Sequence, residues 1–373
     1  MSFKLNEATI VAIFIEDEEL PLIHGNVLHS LHIVASSKLT LPTLVFSFTD
    51  SLQLIPKMKL QDGARIGVYI KSTVSHTRYF RVHSWTRAPA GDGFSYSITA
   101  YWDSTKYWSG TTCFGISGSS HNALREIAEL CGLKFANSNT QTADKMTWMP
   151  QNKPYGIFAR EIARYGFVND KSHMSLGVDS LGVMRYINLN ALAEPVVTVG
   201  YLAPKDTSNF LMLSDFQPSN LAGTGNALLG YRHNRQTPTV LGSSAGGGAL
   251  MTEETELSLT PDSRYPSVNT EVRATQNRGL VSYSPVSFGN VHDKYERARY
   301  QNARYDVLKS LQGEFLFPFQ TEFEMFNTLK YVAPPDMNNK EYNGKYTIGA
   351  KVIYIAGSTY QEKLIGFKTG LDA

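Results

Sequence analysis

The chain has 373 residues, of which 42% are hydrophobic and 18% charged, and its formal net charge is +2 at pH 7. This length predicts two to four domains, and this composition excludes disordered and fibrous proteins. The 35 basic and 33 acidic residues include no long run of one sign, which argues against a dedicated nucleic-acid-binding protein. Aromatic residues reach 12%, which favours strands over helices.

The first part of the chain is typical of consecutive strands. "LPTLVFSFTDS" places Leu44, Phe46 and Phe48 on one face, and Asp62-Gly63 is a turn signal. The segments "RYFRVHSW" and "GFSYSITAYW" flank the turn "APAGDG" and indicate a hairpin. Strong alternation with short turns therefore predicts a small, closed or nearly closed β-barrel over 1–110.

Residues 111–190 contain two helix patterns and a hairpin, which predict a small α/β insert domain. The first helix has Ser119 and Ser120 as candidate N-caps, and Gly132 with Leu133 closes it. Its apolar stripe consists of Leu124, Ile127, Ala128 and Cys131. Cys113 and Cys131 are the two cysteines of the chain, too few for a disulfide framework, which is typical of a protein matured in a reducing cytoplasm.

The second helix of the insert is predicted to start near Pro154 and to end at Gly166-Phe167. Its buried stripe is predicted to consist of Phe158, Ile162 and Tyr165. "MSLGVDSLGVMRYINL" then indicates a strand, a turn at Asp179-Ser180 and a second strand.

Residues 191–290 return to β character and are predicted to begin a second barrel. They contain a long Gly-, Ser- and Thr-rich excursion at 219–268, of the kind that forms an interaction loop. Residues 291–373 are predicted to form a long helix and the closing strands of that barrel. The helix pattern runs over 291–312, with Leu311 on the apolar face and Gly313 as the stop.

A weak internal repeat relates the two halves, because residues 80–100 align without a gap on residues 346–366. The equivalent positions are Phe80 and Tyr346, Val82 and Ile348, Ala90 and Ala356, Gly91 and Gly357, Phe94 and Tyr360, and Ile98 and Leu364. Two hairpins of equal length predict two related barrels in one chain. The alternative is that any two amphipathic hairpins align this well by chance.

No motif that carries chemistry is present: no phosphate-binding loop, GxGxxG, HExxH, CxxC pair or GxSxG. His24, His29 and His32 lie close in sequence, and a turn is predicted at Gly25-Asn26. The three histidines are therefore interpreted as strand or loop residues rather than as metal ligands. The acidic run Glu16–Glu19 is interpreted as a solvated turn. No catalytic, cofactor-binding or metal-binding residue is therefore assigned, and an enzyme is not expected.

The apolar runs are all shorter than the ~20 residues that span a bilayer, and no basic segment precedes the first of them. The sequence therefore predicts a soluble protein without a signal peptide and without direct membrane anchoring.

The order of these parts resembles the baseplate hub proteins of contractile phage tails. That family includes the T-even phage hub, the late control tail proteins of simpler myophages and the hub part of type VI secretion spike proteins. The segments that carry the resemblance are "LPTLVFSFTDSLQLIPKMKLQDGARIGVYI", "SSHNALREIAELCGLKF" and "MPQNKPYGIFAREIARYGFV". Lys153-Pro154 stands where the family often has Ser-Asp, and the excursion at 219–268 has no counterpart. The resemblance is clearest over 40–190 and returns at 291–370.

The resemblance implies a mainly β fold with two related, tube-like barrels, a small α/β insert and one long helix. It implies a homotrimer whose six barrels form a pseudo-sixfold ring that joins the tail tube to the central spike around a central passage. The expected partners are the tail tube ring, the central spike and other baseplate proteins, with the tape measure protein as a further candidate and DNA only as passing cargo. The expected location is the tail baseplate of the virion, after assembly in the bacterial host cytoplasm.

Two other classes of function stay open from the sequence. A β-rich receptor- or carbohydrate-binding tail protein would present exposed Trp or Tyr clusters on one surface, whereas a hub buries its aromatic residues inside the barrels. A tail-associated cell-wall hydrolase would need a cleft with paired carboxylates or a metal site. Within the hub class, a non-contractile phage or a contractile bacteriocin also fits.

Overall fold

The computed structural model describes fifteen segments of the chain. These are residues 3–5, 9–21, 26–38, 41–71, 75–112, 114–136, 141–150, 152–169, 172–203, 209–220, 232–238, 250–256, 311–334, 340–357 and 359–368. The described residues are mainly in strands, as predicted, with three α-helices among them. None of these helices is long and apolar enough to cross a membrane.

The first part of the chain forms eight strands, which we call the first β-domain. They are β1 (Phe3–Leu5), β2 (Thr9–Ile15), β3 (Glu18–Glu19), β4 (Asn26–Ser36), β5 (Thr43–Asp50), β6 (Arg65–Lys71), β7 (Ser75–Ala90) and β8 (Gly93–Trp102). The predicted alternation is confirmed, since Leu44, Phe46 and Phe48 are all buried. The hairpin turn is shorter than predicted, because β7 continues through Ala90.

The strands of the first β-domain run in the order β2-β6-β7-β8-β5-β4 around one apolar core. The two end strands of this run do not pair with each other, so the sheet is a curled half-barrel rather than a closed barrel. Stacked rings fill its core, with Phe48 5.6 Å from Phe46 and 5.4 Å from Tyr96 between ring centres.

The insert lies between the two β-rich parts. Its elements are α1 (Thr105–Ser109), β9 (Thr111–Thr112), β10 (Ile116–Gly118), α2 (Ser120–Leu130), β11 (Lys134–Ala136), β12 (Met146–Trp148), β13 (Lys153–Pro154), α3 (Tyr155–Tyr165), β14 (Met174–Val178) and β15 (Val183–Asn188). The two longer helices and the final hairpin are where the sequence predicts them. The short helix α1 is not predicted.

The ends of α2 follow the predicted capping chemistry. The Ser119 hydroxyl accepts a hydrogen bond from the Asn122 amide at 3.3 Å. At the other end Gly132 has φ +70° and the Leu133 amide donates to the Ala128 carbonyl, which is the Schellman arrangement. The signals at both ends of this helix are therefore sufficient to place it.

Gly166 ends α3 for a different reason. Its φ is −64°, so the backbone there is extended rather than left-handed. A Cβ at this position would lie 1.7 Å from the Tyr186 hydroxyl oxygen, so glycine is needed for space.

The remaining strands are β16 (Thr198–Gly200), β17 (Phe210–Met212), β18 (Asp215–Asn220), β19 (Arg232–Pro238), β20 (Leu250–Glu256), β21 (Leu311–Phe317), β22 (Thr328–Val332), β23 (Gly344–Ala356) and β24 (Thr359–Lys368). We call all of these except the separate β19–β20 pair the second β-domain. Its core is packed with Phe216, Phe315, Tyr331, Tyr346 and Leu364.

The predicted helix over 291–312 lies outside the described residues except at its last two positions. There the prediction is wrong, because Leu311 and Gln312 belong to strand β21, as does Gly313, the predicted stop. Leu311, Gly313, Phe315 and Phe317 are buried on alternate positions, and this period of two places the segment in the sheet. The excursion at 219–268 is described only at 219–220 and in the β19–β20 hairpin.

Candidate assembly surface

Two hairpins with the same register relate the β-domains. In the first hairpin (β7–β8) Val82 pairs with Ala100, and in the second (β23–β24) Ile348 pairs with Gly366. In each hairpin this pair is followed by a bulge. Regular pairing starts again at Ser84 in the first hairpin and at Ala350 in the second. Every pair of the second hairpin has a counterpart in the first at an offset of 266 residues. The predicted repeat is therefore confirmed at the level of individual strand pairs.

The repeat extends beyond the hairpins to five strands. The order β4-β5-β8-β7-β6 in the first β-domain matches β18-β21-β24-β23-β22 in the second. Phe46 of β5 lies opposite Ile98, and Phe315 of β21 lies opposite Leu364, the residue equivalent to Ile98. The chain thus contains two copies of one arrangement of strands. The domain boundaries given above stay predictions.

The second hairpin reaches across to the first β-domain. Residues Ala350–Ile355 pair with residues Leu31–Ser36 of β4. Ile353, Ile355 and Tyr360 pack inside the core of the first β-domain and are at most 1% exposed. One continuous sheet therefore joins the two β-domains through this end of the hairpin.

The equivalent end of the first hairpin, Ser84–Pro89, is uncovered. Every residue of it is exposed, although β8 pairs with it along one side. Trp85 is 37% exposed, and the Arg87 guanidinium lies over the Phe94 ring at 4.5 Å. β18, the strand equivalent to β4, pairs with β21 on one side and with no strand of the described segments on the other. Among the described residues, this end of the first hairpin is therefore exposed, and β18 has no partner strand on its second side.

Buried charges hold the insert against both β-domains. The Arg78 side chain of β7 is fully buried, and its Nε donates to the Ser180 carbonyl at 3.0 Å. Ser180 in turn donates to Glu324, from its amide at 3.0 Å and from its hydroxyl at 2.6 Å. The turn predicted at Asp179-Ser180 is thus held from both sides, which fixes the position of the insert.

Lys351 of β23 lies at the centre of the same cluster. Its Nζ is 3.1 Å from Glu324 Oε1 and 3.4 Å from Glu362 Oε2, and it donates to two carbonyls of the 321–323 loop. The cluster, which we call the ionic junction, contains three cations and three carboxylates: Arg78, Arg185, Lys351, Asp179, Glu324 and Glu362. Its charges balance, which is the condition for keeping such groups inside a protein.

Burial raises the pKa of Glu362, against the opposing attraction of Lys351 and the hydrogen bonds from Thr321. Burial also raises the pKa of Asp179, and the nearby Glu324 charge adds to that effect. Burial lowers the pKa of Arg78. The junction therefore favours proton uptake by Asp179 and Glu362.

Glu362→Gln should change how stability depends on pH. Because the folded pKa of Glu362 is above its unfolded value, the folded state binds the proton more tightly, and this group adds stability as pH falls through its folded pKa. Urea unfolding from pH 8 to pH 5 should show wild type gaining stability relative to the variant. A wild type that loses stability relative to the variant as the pH falls would contradict this assignment.

A groove of about 670 Å³ lies beside the edge strand β17. Val196, Val197, Phe210, Leu211, Phe319 and Phe323 give it a largely apolar lining. Glu194 and Glu322 also line it, but both are exposed, and Glu194 pairs with Lys345 at 3.1 Å.

Two of the three histidines weighed in the sequence as possible ligands have structural roles. His29 and His32 lie on β4, where His29 Nε2 is 2.6 Å from the Thr49 hydroxyl and the His32 ring packs on Tyr354. His24 and Cys113 lie outside the described residues, and Asn26 begins a strand. Among the described residues, no three His, Cys, Asp or Glu side chains are grouped to hold a metal ion.

Two other sequence interpretations agree with the structure. Glu16–Glu19 is exposed, and Glu16 and Asp17 form a turn with positive φ. Cys131 is buried at the end of α2, and burial raises its pKa to about 12.

The same arrangement of strands is found in tail proteins. The 43 kDa tail protein of prophage MuSo2 from Shewanella oneidensis is 10% identical, with a TM-score of 0.60 over 98% of this chain and 100% of that one. A tail protein from Neisseria meningitidis has the same identity and TM-score over 97% of each chain. This chain has the fold of phage tail proteins.

The tail-protein fold also extends to a chain of the Francisella PdpA-VgrG complex, which is 10% identical with a TM-score of 0.51. This chain aligns over 97% of its own length and 53% of that one. Neither a family model nor a curated protein matches the sequence. The resemblance to hub proteins is therefore confirmed as a resemblance of fold.

The ionic junction is not predicted from the sequence, although the sequence contains a signal for it. On β23, Lys351 shares one face of the strand with the apolar residues Ile353 and Ile355. On β24, Glu362 lies between Tyr360 and Leu364 on one face of the strand. A charged residue in an otherwise apolar row of a strand is rarely buried without a partner. Such positions indicate buried ion pairs, but they do not identify the partners.

Proposed function

We propose that this chain is a structural hub of a phage tail baseplate. Three copies would form a ring of six β-domains that joins the tail tube to the central spike and leaves a passage at its centre. The observation that carries the proposal is the repeat of five strands with the same hairpin register in both β-domains. Two equivalent domains per chain allow a threefold assembly to present a nearly sixfold face to its neighbours.

The distribution of aromatic residues supports the hub over an adhesion protein. The largest fully buried side chains include Tyr96, Tyr331, Tyr346, Tyr360 and Phe315, which fill the two β-domain cores. A carbohydrate-binding surface would instead present such rings to solvent. The proposed role lies in contacts with the tube, the spike and other baseplate proteins in the virion, and it requires no catalytic step.

The proposal predicts a trimer. Light scattering on the purified chain should give three times 41.5 kDa, and negative-stain images of the same fraction should show rings. A particle of one chain, both alone and mixed with the spike protein encoded nearby, would overturn the proposal.

A further inference from the structure

We propose that the exposed hairpin end, Ser84–Pro89, pairs with the open edge of β18 in a second copy of this chain. The contact would repeat between chains the pairing that the second hairpin makes with β4 inside one chain. This inference rests on the proposed trimer and identifies the strands that close it.

The register of this contact follows from the repeat. Inside the chain, Val352 of the second hairpin lies opposite Val34 of β4. Thr86 is the residue of the first hairpin that corresponds to Val352 at the offset of 266. One side of the new contact is therefore Thr86.

The other side is found by following the pairs across each β-domain. Val34 lies opposite Thr43, which lies opposite Tyr101. Phe367, the equivalent of Tyr101, lies opposite Gln312, and Gln312 lies opposite Ser219. Ser219 thus corresponds to Val34, and Thr86 of one chain should face Ser219 of the next.

The side chains of the hairpin end fit this position. Trp85, Arg87 and Pro89 correspond to Lys351, Ile353 and Ile355, which are buried or face a core at the contact inside the chain. At the new contact they would point toward the core that contains Phe216 of the second copy, whose ring is already packed against Phe315 at 5.0 Å. The exposed indole of Trp85 would thereby lose its contact with water, which favours association.

Each chain carries one hairpin end and one β18 edge, so the contact is heterologous. Such a contact builds a closed ring when its rotation closes, and a ring leaves no sheet edge exposed. Pro89 and Pro218 lie in the two strands concerned, and proline is typical of edge strands because it limits uncontrolled pairing.

A cross-linking experiment tests the register. Thr86→Cys and Ser219→Cys would be combined in one chain, since directly opposed residues of antiparallel strands lie within disulfide range. Mild oxidation should shift the mass on a non-reducing denaturing gel from one chain to three, and reduction should reverse the shift. The matched control is Arg87→Cys with Ser219→Cys, whose side chains would point to opposite faces and should stay unlinked.

The outcomes separate this contact from the hub role. A trimer in light scattering that links no better than the control would overturn the strand pairing and leave the proposed hub intact. A single-chain particle would overturn the trimer and the contact together. Covalent trimers in the Thr86/Ser219 variant alone, and not in either single variant, would establish the pairing.

Discussion

Replacing Lys351 with methionine should lower the free energy of unfolding by about 3–5 kcal/mol, the usual cost of removing one partner from a buried charge pair. Lys351 is 1% exposed and is the cation nearest to both Glu324 and Glu362. Methionine fills a similar volume, so the loss would come from the two carboxylates left in a dry site and from two carbonyls without their donor. Urea unfolding of wild type and variant at pH 7 measures this loss of unfolding free energy.

Lys363→Met is the matched control on the neighbouring strand. Lys363 pairs with Glu314 at 2.9 Å, but both side chains are partly open to water, at 37% and 27% exposure. A pair of this type contributes less than about 1 kcal/mol. Equal losses in the two variants would contradict the view that burial makes the ionic junction a structural centre.

Gly182→Ala should be the next most damaging change, with a loss of about 2–5 kcal/mol from left-handed strain and overpacking combined. Gly182 has φ +73° in the turn of the insert hairpin, and a Cβ there would lie 2.2 Å from the Trp102 ring. The ring belongs to the end of β8, so the insert would have to move away from the first β-domain. Chemical denaturation would give the loss, and tryptophan fluorescence would report the shift of the indole.

Gly63→Ala separates the two causes. Gly63 has φ +79°, but nothing lies within 4 Å of the position its Cβ would take. Its substitution should therefore cost only the left-handed strain, about 1–2 kcal/mol. If Gly63→Ala proved as harmful as Gly182→Ala, close packing of the insert on Trp102 would not be the reason for glycine at 182.

Local signals in the sequence were sufficient for the elements they govern. Ser119 and Gly132 predict the two ends of helix α2 correctly, because capping hydrogen bonds form between residues that are close in sequence. The strand faces were predicted from alternation, and the hairpin repeat from matching inward positions. The same kind of reasoning failed at Leu311 and Gly313, where apolar spacing suggested the end of a helix and strand pairing prevailed.

The contacts between distant segments of the chain cannot be predicted from such local signals. Nothing near Arg78 in sequence indicates that it would reach the carbonyl of Ser180, which is 102 residues away. Nor does alternation indicate which sheet edge a hairpin will meet, since Ile353 and Arg87 occupy equivalent positions of the two hairpins. Ile353 is buried against β4, whereas Arg87 is exposed.

The sequence by itself determined the mainly β character, the two longer helices of the insert and the equivalence of the two hairpins. These features follow from alternation, caps and turns, which act over a few residues. Only the tertiary structure decided that one hairpin end is covered within the chain while its counterpart is exposed, and that buried charges join the insert to both β-domains. Such choices depend on which distant surfaces meet, and burial, charge balance and edge pairing are properties of the meeting surfaces rather than of any one segment.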